Sequence, residues 1–157
     1  MADRPDPTRV VADADVLAAD VLVDGAAREA LDRVREHSWL TLVVSEPLLD
    51  EAEAVVADLA DADLAADWRA TVAATATSVD HPSEDQPALA CALHGQAAHL
   101  LTEDEELTSA RTGASIRKYV ATSIKRPDAF VRQFDAASLY EAEFDDEYPG
   151  PDRDPRA

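Results

Sequence analysis

The chain has 157 residues, room for one domain with a single substantial core and no second one. Its 33 acidic side chains against 14 basic ones give a formal net charge of -19 and an isoelectric point near 4.3. A single cysteine, Cys91, excludes an intramolecular disulfide, no apolar run approaches the roughly 18 residues of a membrane span, and the acidic amino terminus lacks the basic start of a signal peptide, so a soluble cytoplasmic protein is expected.

Residues 1–7 carry two prolines and no apolar pattern and are expected to form a loose arm before a domain over 8–141. The first strand is expected at Arg9 to Asp13, then a helix from about Asp15 to Val23 that Gly25 ends. Ala27, Ala30, Leu31 and Val34 recur at helical spacing through His37, with Arg28, Arg33 and Arg35 on the wetter side, and a second strand follows at Trp39 to Val44. Ser45, with Pro47 in the first turn, opens a helix whose apolar stripe is Leu48, Ala52, Val55, Val56 and Leu59. Glu51 lies on the edge of that stripe, while Asp50 and Glu53 project the other way. Leu64 to Ala74, with Trp68 and Val72, forms a further amphipathic stretch that reads as packing.

After a short run at Thr77 to Asp80, Ser83 and Gln86 make a capping-box signature, which predicts Asp85 in the first turn of a helix ending at Gly95. An acid there also complements the helix dipole by about 0.3–1 kcal/mol, the structural explanation that competes with a functional one. Cys91 reads as a small core residue of that helix. A buried strand is expected at Ala98 to Leu101, with Thr102 capping the next turn, and an edge strand at Arg117 to Ile124. Pro127 opens a last helix with Phe130, Val131, Phe134 and Leu139 as its apolar face, and residues 142–157, acidic and then Pro-rich, are expected to be a disordered tail. His37, His81, His94 and His99 match no metal spacing and fit surface or helix-end positions.

Alternating strands and helices predict an α/β fold. Asp13, Glu51, Asp85 and Asp104 each stand where a strand ends or a helix begins. Gathering four carboxylates costs free energy through repulsion, so a fold that does so normally holds a hard divalent cation, and the carboxyl ends of parallel strands are where ligands bind. In so acidic a chain, chance is the competing explanation.

The same segments resemble the motifs of PIN-domain nucleases. Val-Val-Ala-Asp13-Ala-Asp15-Val-Leu resembles the opening strand motif, and Ser45-Glu-Pro-Leu-Leu-Asp-Glu51 is similar to the Ser-x-x-Leu-x-x-Glu helix start. Glu84-Asp85-Gln-Pro-Ala-Leu-Ala-Cys-Ala resembles the Asp-x-x-x-x-x-x-Ala helix, Leu-Leu-Thr102-Glu-Asp104-Glu-Glu-Leu the Thr-x-Asp-x-x-Leu segment, and Pro127-Asp-Ala-Phe130 the closing Pro-x-x-Phe helix. The resemblance spans residues 9 to about 140. It implies a three-layer α/β/α PIN-like domain with a central, mainly parallel sheet, and a pocket in which Asp13, Glu51, Asp85 and Asp104 bind Mg²⁺ or Mn²⁺. It also implies hydrolysis of RNA phosphodiesters, the ion polarising a phosphoryl oxygen and acidifying a water for in-line attack. Asp104 or Asp85 is then the acid that orients the water, and Asp15, Ser45 and Thr102 support the ligands.

One departure is Glu103, which adds charge beside Asp104, with Glu105 and Glu106 close behind. Arg111, Arg117, Lys118, Lys125 and Arg126 form a basic cluster that either meets an RNA backbone or balances an acidic surface. A phosphatase of the haloacid dehalogenase type also begins with a strand ending in Asp-x-Asp, but needs a lysine between its second and last motifs, and none precedes Lys118. The more serious rival is a PIN-like protein that binds or serves structurally without cleaving. Within the catalytic alternative, a toxin paired with an antitoxin and a free-standing RNA-processing enzyme both stay open, and a homodimer through the edge strand and last helix is expected.

Two lysines against 12 arginines, with abundant Ala, Asp and Val, look like the proteome of a salt-loving archaeon. Molar salt shortens the screening length to about 3 Å, so the acidic surface then need not describe the partner. The alternative is a basic partner or mimicry of nucleic acid.

Overall fold

The computed structural model describes residues 5–82, 86–108 and 122–155. Strands β1 (Asp6–Ala12), β2 (Thr41–Val44), β3 (Thr77–Ser78), β4 (Ala97–Leu101) and β5 (Ser123–Lys125) form one sheet in the order β3-β2-β1-β4-β5, every pairing parallel. Helices α1 (Ala14–Leu22), α2 (Ala26–Arg35), α3 (Glu46–Leu59), α4 (Ala62–Thr75), α5 (Pro87–His94), α6 (Glu105–Thr108), α7 (Pro127–Gln133) and α8 (Ala136–Phe144) cover it, giving the expected α/β/α three-layer fold.

Cover on both faces explains why the inner strands are apolar without alternation. Val10, Val11, Ala12, Val43, Val44, Leu100 and Leu101 are all buried. Val11 pairs with Leu100 and Ala12 with Leu101, so β1 and β4 end level with each other. α5 packs against β1, β2 and β4, and its end is tight: a Cβ on Gly95 would stand 2.7 Å from a Val43 methyl and 2.9 Å from the Cys91 carbonyl, so only glycine fits. Cys91 is fully buried, as expected of a small core residue. Strand order runs outward from β1 to β3, then returns to the far side of β1 with β4. That reversal puts a crevice at the carboxyl ends of β1 and β4.

Several expectations need correction. The loose arm expected over residues 1–7 does not include Asp6 and Pro7, which already belong to β1: the Asp6 N–H donates to the Gln96 carbonyl at 2.6 Å, and the Asp6 carboxylate caps Thr8. β1 also ends at Ala12, one residue before Asp13. The helix after β3 begins at Pro87 with Gln86 as a cap that makes no side-chain bond, so the predicted capping box does not set its start; Ser83 and Asp85 lie outside the described residues. Of the edge strand expected over Arg117 to Ile124, only its end, within β5, falls among them. Leu59, counted into the apolar stripe of α3, is 69% exposed at the helix end, while Leu49 is buried in its place. The last helix is two: the chain leaves helical geometry at Phe134, and Asp135 caps α8 through the Ser138 N–H.

Of the tail expected to be disordered over 142–157, the described part, residues 142–155, folds back onto the end of α2. Its first residues complete α8, Tyr148 hydroxyl lies 2.6 Å from His37 Nε2, and the Asp152 carboxylate accepts from the Ser38 N–H and hydroxyl. The Asp152 and Arg153 N–H groups donate to the Glu36 carbonyl. Composition misled here because a few aromatic anchors suffice: Trp39 meets Tyr140 and Phe144 edge to face. His37 is accordingly a buried residue and not a surface one, its Nδ1 2.7 Å from the Arg33 carbonyl. Arg35 likewise leaves the wet side to make a two-pronged ion pair, at 2.9 and 2.5 Å, with the buried Asp20.

Candidate functional site

Asp13 both ends β1 and caps α1. Its N–H donates to the Leu101 carbonyl at 2.8 Å, continuing the β1–β4 ladder. One carboxylate oxygen accepts the Ala14 N–H at 2.7 Å, and the other accepts the Thr102 hydroxyl at 2.8 Å. Thr102 is fully buried at the end of β4. Its hydroxyl also accepts the Asp104 N–H at 3.0 Å, and its own N–H donates to the Lys125 carbonyl at 3.1 Å. One hydroxyl therefore links the segment of the first acid to that of the last across the mouth of the crevice.

Asp15, in the first turn of α1, accepts the Glu103 N–H at 3.1 Å. Burial of its carboxyl, then the charge of Asp13, pushes its pKa from 3.8 up to about 6, against the pull of the Glu103 and Val16 N–H groups. Glu51 is an exposed residue of α3, yet its carboxyl is also pushed up, first by burial and then by the charge of Asp13. Asp13 is thus the charged neighbour common to both carboxyls. Asp104, half-buried, precedes α6, and its carbonyl accepts the N–H groups of Leu107 and Thr108.

Asp85 lies outside the described residues. Among the described residues no three His, Cys, Asp or Glu side chains stand close enough to form a complete ion cage. Donor chemistry, however, fits a hard divalent cation: carboxylate oxygens only, with Asp13 and Asp15 held by backbone and hydroxyl donors that fix their orientation.

Ser45 is where the sequence put it, at the end of β2 and the cap of α3, but it is fully buried and its hydroxyl is engaged: it accepts the Leu48 N–H at 3.4 Å and lies 2.7 Å from His81 Nε2. Burial pushes the Cys91 thiol up to about 11, against the opposing pull of the Ser45 hydroxyl. Ser45 fixes the start of the helix that carries Glu51. His81 had no signal in its spacing, since only the β2–β3 pairing brings it to Ser45.

Two salt-bridge arrangements govern the local charge. Arg126 lies 3.1 Å from the Glu103 carboxylate and 3.4 Å from Asp128, so the extra acid beside Asp104 is partly neutralised. Arg69, on α4, holds Glu46 at 2.5 Å, Asp50 at 2.6 Å and Glu53 at 2.8 Å, tying α4 to α3 through the face beside Glu51. Asp50 and Glu53 meet Arg69 of α4, whereas Glu51, itself exposed, meets the field of Asp13. In sequence, Arg69 stood out only as the one basic residue between Glu51 and Asp85. Of the basic cluster, Arg111, Arg117 and Lys118 lie outside the described residues.

No helix among the described residues is long and apolar enough to cross a membrane. No curated protein and no solved structure matches the chain. A sequence profile does match residues 4–156, and by that match the chain belongs to DUF7384, a family of unknown function.

Proposed function

We propose that this chain is a Mg²⁺- or Mn²⁺-dependent endoribonuclease of PIN-like type that hydrolyses RNA phosphodiester bonds. The observation that supports it best is Asp13: its carboxylate stands at the sheet's switch point, fixed by Thr102 and facing the fields of Asp15 and Glu51. The motif order of the sequence supports it independently. Asp13, Glu51, Asp85 and Asp104 would hold the ion, which supplies phosphoryl polarisation and an acidified water. The chain's own part is positioning. Thr102 and the Ala14 N–H hold Asp13 in one rotamer, the Glu103 N–H holds Asp15, and Ser45 sets the start of the Glu51 helix. Arg126 keeps Glu103 from adding its full charge to the pocket.

The partner is RNA, and an antitoxin belongs to the toxin version of the proposal. Thermal melts with and without Mn²⁺, paired with cleavage of a mixed-sequence RNA, test it. A rise in melting temperature with metal and cleavage abolished by EDTA are expected. Stabilisation without cleavage would leave a metal-binding scaffold; absence of both would overturn the proposal in favour of a non-catalytic PIN-like binding protein.

A further inference from the structure

A cavity of about 360 Å³ lies between β4, β5, α7 and α8, and none of its lining residues belongs to the acid site. One wall is aromatic: Phe130 and Phe134 stack at 4.8 Å between ring centres, and His99 meets Phe130 edge to face at 5.7 Å. The other end is polar, with Lys125 Nζ 3.5 Å from the Gln133 side-chain carbonyl.

His99 carries an unusual deficit. Its Nδ1 is shielded from solvent and has no hydrogen-bond partner. A buried N–H without an acceptor is rarer in folded proteins than an unused lone pair, so the neutral ring keeps its proton on Nε2 and offers that N–H as a donor. Burial, then the charge of Lys125, lowers the imidazole to about 4, so the ring is neutral at physiological pH. Burial also lowers the ammonium of Lys125 from its ordinary range, a cost that an anion beside it would relieve. Asp135 is the acid on the rim, and as the cap of α8 its carboxylate accepts the N–H and hydroxyl of Ser138 at 3.1 and 2.8 Å.

We infer that this cavity binds a small aromatic carboxylate, its charge beside Lys125, the Gln133 amide and the His99 ring, and its ring against Phe130 and Phe134. A volume at the low end of ligand sites suits one ring and not a nucleotide. The inference is independent of RNA cleavage, because it uses neither the acids nor a metal.

Titration of the full chain with sodium benzoate, against sodium chloride at equal ionic strength, tests it by calorimetry and by the ring nitrogen resonances of His99. Saturable binding with displacement of the His99 Nε2 signal is expected. Lys125→Met should weaken binding at least about tenfold, and benzyl alcohol, the same ring without the charge, should bind weaker by a similar factor. Gln133→Ala, at an exposed position, provides a second variant whose fold is not in question and should also weaken binding. No saturation at millimolar benzoate, full affinity in both variants, or equal binding of benzyl alcohol would each overturn the inference.

Discussion

Thr102 and Asp13 are 89 residues apart in sequence, yet the threonine hydroxyl donates to the aspartate carboxylate at 2.8 Å from a fully buried position. The same hydroxyl accepts the Asp104 N–H, so it sets the spacing of the first and last acid segments together. Thr102→Val keeps shape and removes both roles. It should cost about 1 kcal/mol in urea unfolding, because two half-buried polar groups lose their partner. It should also lower cleavage without abolishing it, and a variant with wild-type stability and rate would show the bond to be incidental.

Asp13→Asn and Asp104→Asn should abolish metal-dependent cleavage outright. The metal-free proteins should stay within about 1 kcal/mol of wild type, because a repelling charge is removed as one carboxylate hydrogen bond is weakened. Melts and cleavage assays on the same preparations separate the two effects. Loss of fold with loss of activity would make these acids structural.

Asp15 gives a pH signature. Its carboxyl titrates at about 6 when folded against 3.8 as a free side chain, so the folded state binds the proton more tightly. The stability this contributes is fully present below pH 3.8 and is lost as pH rises through about 6. Asp15→Asn should therefore flatten stability across that window and leave the protein more stable at neutral pH. Denaturant midpoints measured at several pH values in both proteins are the check, and parallel curves would contradict it.

Asp50 and Glu51 are neighbours with opposite expected phenotypes. Asp50 faces Arg69 of α4 at 2.6 Å, whereas Glu51 shares the field of Asp13. Asp50→Asn should leave cleavage unchanged and Glu51→Gln should abolish it. Equal damage from both would mean that the whole α3 face, and not Glu51, matters.

Salt is the broadest variable. With 33 acids against 14 basic groups, repulsion should destabilise the fold at low ionic strength, and the melting temperature should rise toward about 1 M KCl as screening tightens. Melting curves across KCl decide the point. A flat profile would remove the salt-adapted explanation of the composition and favour a basic partner.

The sequence determined the α/β class through its two periodicities, the continuous apolar runs of β1, β2 and β4, and the helix starts marked by Ser45 and Pro127, because these are local consequences of burial and backbone chemistry. It also separated Glu51 from Asp50, since a helix's faces follow from spacing alone. Only the tertiary structure decided the rest. Strand order brings Asp13 and Thr102 together, and Arg69 finds three acids on another helix, by contacts that no local pattern encodes. The tail read as disordered from its charge and prolines, but His37, Ser38 and Trp39, more than 100 residues upstream, supply the anchors that hold Tyr148, Asp152 and Phe144. Order there is a property of the pair of segments, and a chain read one window at a time contains only half of each pair.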